Sequence, residues 1–119
     1  MGVTYVDVVV KKSARSSRKQ EVECLVDSGA HYSVIPRTTL KNLGIRPDTK
    51  QTFTLADGSR IERELGTAYF LFQDRVGSSM VIFGEEGDAI LLGVLTLEAL
   101  GLMLDPLKRE LRQLPMLLV

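Results

Sequence analysis

The sequence has one cysteine, one histidine and no tryptophan, and its charges cancel. Each scarcity excludes something. Cys24 has no partner in the chain, so no internal disulfide forms, which fits a reducing compartment. One histidine and one cysteine, without further ligands at suitable spacing, make a poor metal site. Fifteen basic and fifteen acidic side chains balance to zero. That argues against nucleic acid as the main partner, because phosphate binding needs a basic excess. No segment approaches the roughly 18 apolar residues that span a bilayer. The opening stretch "MGVTYVDVVV" lacks a basic leader and cleavage site, and Val6 stands where a myristoylation signal has Ser or Thr. The expectation is a cytoplasmic protein with no metal, no cofactor, no nucleic acid and no membrane partner.

What remains is an ordinary globular composition in 119 residues, enough for one domain over 1–119 with a real core. Short runs of β-branched residues between scattered glycines predict strands. "VTYVDVVV" reads as the first, "KKSARSSRK" as an exposed loop, and "QEVECLV" as the second. In the second strand Val22, Cys24 and Val26 share one face and Glu21, Glu23 and Leu25 the other. The two predict a hairpin. "RTTLKNLGI" reads as one or two helical turns stopped by Gly44. "QTFTLADGSRIERELGTAYFLF" predicts two strands around Asp57-Gly58, a strong hairpin signal. "VGSSMVIFG" is a further strand. "AILLGVLTLEALGLML" starts as a buried strand, turns at Gly93 and continues as a short helix to Gly101. Asp105-Pro106 marks a turn before the extended "ELRQLPMLLV".

Two stretches carry chemistry. In "ECLVDSGAHYSVIP" an apolar run ends in Asp27, followed by Ser28, Gly29 and Ala30. Asp, Ser and Gly are turn residues, so a plain β-turn is one reading. The other is a carboxylate delivered from a buried strand into a tight loop. Gly29 then permits close backbone approach, and Ser28 offers a hydrogen bond. "AILLG" reads alone as a core strand ending at Gly93. Outside these stretches, His31 reads as a solvated loop histidine and Cys24 as a small buried apolar residue. Lys11, Lys12, Arg15, Arg18 and Lys19 form a basic loop, either a charged hairpin tip or a contact for an acidic partner.

Taken together, Leu25-Val26-Asp27-Ser28-Gly29-Ala30, the hairpin at Ala56-Asp57-Gly58-Ser59, and Leu91-Leu92-Gly93 with a following helix resemble the retropepsin-like aspartic proteases. "IPRTTLKNLGI" and "LGVLTLEALGLMLDP" look like cellular, non-viral members. The resemblance covers Val3 to about Leu114. It departs at Ser28, where Thr is commoner, and at a hairpin tip with a charged Asp57 and one glycine.

The resemblance implies a mostly β fold, a single-lobe closed β-barrel with one or two short helices, paired as a C2 homodimer. It implies an aspartic endopeptidase in which two carboxylates face one water and share a proton, since like charges about 3 Å apart cannot both ionise. Asp57 sits in a hairpin turn, and Asp7, Asp74 and Asp88 lack the following Ser/Thr-Gly. One Asp-Ser-Gly motif therefore needs a second subunit to complete the pair. Asp27 is then the catalytic residue, with Ser28 and Gly29 supporting the pair. Ala30 lines the cleft, Ala56, Asp57, Gly58 and Ser59 close over it, and Ala89 and Leu91, alternating on one strand, wall its pockets. Substrates are extended peptides or proteins. The apolar end "LPMLLV" either joins the dimer or covers its own core. Two rivals stand: a dimeric binding module of the same fold that holds a peptide uncut, and a structural dimerisation domain in which Asp27 only forms a turn.

Overall fold

Alternation of β-branched and polar residues dominates the chain, and the described backbone is mostly strand. The computed structural model describes residues 4–115. They form β1 (Tyr5–Lys11), β2 (Lys19–Val26), β3 (Ser33–Pro36), α1 (Arg37–Asn42), β4 (Thr49–Thr54), β5 (Arg60–Phe72), β6 (Arg75–Gly84), β7 (Leu91–Leu92), α2 (Val94–Ala99), β8 (Leu102–Asp105) and β9 (Glu110–Gln113). Seven strands pair in the order β1-β2-β7-β3-β6-β5-β4. β1 also pairs with β5, through Val9–Leu71, Val10–Phe70 and Lys11–Tyr69. Six strands thus form a ring of pairings, with β4 attached outside it through β5.

The predicted first hairpin is present, in antiparallel register from Tyr5–Leu25 to Lys11–Lys19. Val22, Cys24 and Val26 are buried as their spacing predicts, and Glu21 and Glu23 are exposed. They pack with Val8, Val10, Ile35, Phe70, Phe83 and Leu92 in one core. Burial, helped by the charges of Asp7 and Glu23, pushes the Cys24 thiol up to about 12. The thiol therefore stays protonated and inert.

Three parts of the chain depart from the expected elements. "SVIP" is a strand, β3, which pairs parallel with β6 and antiparallel with β7. β7 is only two residues long, so Ala89 precedes the strand rather than alternating on it with Leu91. "LMLD" forms β8, paired with β9. The Asp105-Pro106 turn between them is fixed by Asp105. Its carboxylate accepts the backbone N–H groups of Leu107 (2.9 Å) and Lys108 (3.1 Å). Those bonds, Lys108 first, hold it below the usual carboxylate range. The helices stop at Gly44 and Gly101, as expected, both at positive φ. Met116 to Val119, the apolar end, lie outside the described residues.

Candidate active site

Asp27 follows the last residue of β2. Its N–H donates to the carbonyl of Leu92 at 3.1 Å, while the N–H of Ala30 donates back to the Asp27 carbonyl at 3.1 Å. The first bond ties the loop to β7; the second closes a tight turn. The Gly29 N–H donates to Asp27 Oδ1 at 2.9 Å. A Cβ on Gly29 would stand 3.2 Å from the same oxygen. The carboxylate is thus oriented by backbone of its own motif and left half-buried.

The loop is stitched again beyond the motif. The N–H groups of Val94 and Leu95 donate to the carbonyls of Ala30 (2.8 Å) and His31 (3.1 Å). Gly93 has ordinary extended torsions, φ −93° and ψ 177°, so its conformation does not demand glycine. Its surroundings do: a Cβ there would lie 2.6 Å from the backbone C and O of Tyr32. Behind this contact runs a buried polar chain. Gly93 N–H donates to Ser33 Oγ (2.9 Å), Ser33 Oγ bonds Thr96 Oγ1 (2.5 Å), and Thr96 Oγ1 bonds Ser79 Oγ (2.7 Å). Ser33 and Thr96 are fully buried. Their bonds join β3, α2 and β6 beneath the Asp27 loop.

Asp27 opens onto a cavity of about 880 Å³. Of the residues expected at the site, Asp27, Gly29, Ala30, Ala56, Ala89 and Leu91 line it together. Ser28, Asp57, Gly58 and Ser59 are exposed and stand outside that lining. Asp57-Gly58 is not a two-residue loop. Gly58 N–H donates to the Leu55 carbonyl (2.9 Å) and Leu55 N–H to the Ser59 carbonyl (2.8 Å), and Gly58 has φ 87°. This is a three-residue loop, Ala56 to Gly58, with glycine in the left-handed position. Asp57 Oδ1 accepts both the hydroxyl (2.6 Å) and the N–H (2.9 Å) of Ser59. These bonds hold the Asp57 carboxyl below its usual range and keep the tip charged.

Sequence reading missed the aromatic wall. Tyr32 packs edge-on against Phe53 of β4, with ring centres 6.1 Å apart, and His31, exposed at the rim, packs against Tyr32 at 5.0 Å. Counting by twos from the hairpin tip would have found this face, because Gln51, Phe53 and Leu55 all line the cavity. It also missed a clasp between β5 and the loop before β7. Arg63 donates from Nε and a terminal nitrogen to both oxygens of Asp88, at 2.8 and 2.9 Å. Asp88 Oδ2 also accepts the Glu85 N–H at 2.8 Å. The clasp seats Ala89 at the cavity. Nothing in the local sequence pairs Arg63 with Asp88; only the fold does. Among the described residues no group of three or more His, Cys, Asp or Glu side chains could hold a metal ion, and no helix is long and apolar enough to cross a membrane.

A mostly β chain that presents an Asp-Ser-Gly loop, clamped by a Leu-Leu-Gly turn beneath a hairpin, has the layout of the retropepsin-like class. A family model described as aspartyl protease, in the retropepsin-like clan, matches residues 12–95, and the chain belongs to this family. The match takes in the Asp27 loop, the hairpin and Gly93. It supports a protease-type, hydrolytic function. A search of curated proteins found no match.

Proposed function

We propose that this chain is an aspartic endopeptidase, one domain over 1–119, that works as a C2 homodimer with one Asp27 from each subunit. The ring of strand pairings is read as the single-lobe barrel of the acid-protease fold. The observation that carries the proposal is the Asp27 loop. Its carboxylate is aimed by the Gly29 N–H, clamped through Gly93, and opens on a cavity of about 880 Å³ with aromatic and aliphatic walls.

One ionised Asp27 takes a proton from water, and the water oxygen attacks the scissile carbonyl carbon. The protonated Asp27 of the other subunit gives its proton to the carbonyl oxygen. Collapse of the resulting diol breaks the C–N bond as the first Asp27 gives its proton to the amine nitrogen and the second takes one from a diol hydroxyl. The acid and amine leave, and the pair again holds one proton. Ser28 supports the pair through hydrogen bonds across the two-fold axis, with Gly29 keeping the backbone close. Ala30, Ala89 and Leu91 contact substrate side chains, and Ala56 to Ser59 fold over an extended peptide. Asp57 favours a second reading, a peptide-holding module, since a charged tip opposes closure.

Asp27→Asn is nearly isosteric but cannot act as the base. It should abolish peptide cleavage while light scattering still gives twice the chain mass. Wild-type cleavage rates in the variant would refute the proposal; a wild-type chain that binds peptides without cutting any would establish the second reading.

A further inference from the structure

The basic loop between β1 and β2 has no part in the cavity at Asp27, yet it is not merely a charged tip. The fold places its Lys12 and Arg18 beside Lys41 of α1 and Arg46 beyond it, around a groove of about 630 Å³. Arg37 and Glu64 also border the groove, and Glu64, 2.6 Å from Arg37, is the only carboxylate among the described residues that line it; Asp48 borders the adjoining hollow that shares Lys12 and Arg46. Arg18 is anchored, donating to the Asn42 carbonyl at 2.8 Å. Lys12, Lys41 and Arg46 are exposed, and none forms an ion pair among the described residues. A chain with no net charge has thus gathered free cations on one surface.

The groove is connected to the cleft. Arg37 and Glu64 border a smaller hollow lined also by Lys50, Glu62, Arg63 and Glu85, where three cations stand against three carboxylates, and Arg63 lines the cavity at Asp27. An extended peptide rises about 3.3 Å per residue, so about ten residues span roughly 33 Å. The whole chain measures 39 × 34 × 31 Å. A substrate leaving the cleft over Arg63 therefore reaches the groove within about ten residues of the scissile bond.

We propose that this groove binds an acidic stretch of the peptide substrate, remote from the bond that is cut. The inference rests on the endopeptidase reading for its substrate, but its binding step is tested without catalysis. Peptide is favoured over nucleic acid because no aromatic side chain lines the groove to stack a base.

The probe is a fluorescent peptide of ten glutamates, titrated by anisotropy into the Asp27→Asn chain. Binding is expected at low salt and should weaken as salt is raised. The combined variant Lys12→Glu, Lys41→Glu, Arg46→Glu should weaken it about tenfold or more. If charge reversal lowers the melting temperature, the same positions changed to Gln keep the test readable and should weaken binding severalfold. In the active chain, an acidic extension on a cleavable peptide should lower KM and leave kcat unchanged, and the variant should lose that gain. Equal binding by the charge-reversed variant would overturn the proposal. So would a ten-nucleotide oligomer that displaces the peptide at lower concentration than unlabelled peptide does. If no peptide is ever cut, the endopeptidase reading fails, and the anisotropy result still decides the groove.

Discussion

Thr96→Val perturbs the buried chain beneath the Asp27 loop without touching the cavity. Thr96 is fully buried, and its hydroxyl bonds Ser33 at 2.5 Å and Ser79 at 2.7 Å. Val preserves shape and removes both bonds. At about 1 kcal/mol net for each, the loss is about 2 kcal/mol. Sterics add to it, because a methyl carbon sits about 3.3 Å or more from an oxygen and Ser33 must shift. Ser33 is the acceptor for the Gly93 N–H, so the shift passes to the clamp on the Asp27 loop. For a chain of this size 1 kcal/mol moves Tm by about 4 °C, which predicts a fall of about 8 °C. The assay is thermal unfolding at fixed chain concentration, since the proposed dimerisation would make Tm concentration-dependent. Ser33→Ala and the double variant complete a cycle. The double variant should lose clearly less than the sum of the singles, because both remove the same bond. A fall below about 2 °C, or strict additivity, would refute the account of this network.

Two further outcomes follow from the same region. Gly93→Ala forces apart backbone atoms that a Cβ would approach to 2.6 Å; it should cost roughly 1–3 kcal/mol and most of the peptidase rate, read from Tm and turnover on one preparation. Arg63, foremost among its neighbours, holds the Asp88 carboxyl below its usual range. A carboxyl lowered by folding stabilises the chain above its unfolded value, about 4, and loses that contribution as pH falls through the folded value. Asp88→Asn should thus melt a few degrees lower at pH 7, with the gap closing below about pH 4; a gap that stays constant on acidification would contradict the clasp.

Local signals carried much of this fold where strands adjacent in sequence pair with one another. The β1–β2 hairpin, the alternation at Val22, Cys24 and Val26, and the helix stops at Gly44 and Gly101 are all local events. β3 was missed, and β7, expected as a buried strand from Ala89, is only Leu91–Leu92. Each is short, and each is a strand only because it pairs with partners far away in sequence: β3 with β6, and β7 with β2. Nothing in "SVIP" announces that. The same holds at the site. Asp27 and Gly29 were legible because motif and turn chemistry coincide there. The Ser33–Thr96–Ser79 chain and the Arg63–Asp88 clasp join residues that share no pattern until the chain folds. The basic loop was legible as charge, but its gathering with Lys41 and Arg46 was not.

The central claim is that each subunit gives one Asp27 to a shared site. It is tested most directly by unfolding wild-type and Asp27→Asn chains together, refolding the mixture and measuring peptide cleavage. At three variant chains to one wild-type, random pairing leaves about one dimer in sixteen with both carboxylates. Activity per wild-type chain should then fall to about a quarter of the value for wild type refolded alone. If activity per wild-type chain does not change with the proportion of Asp27→Asn, each chain works with its own groups, and the shared site does not exist.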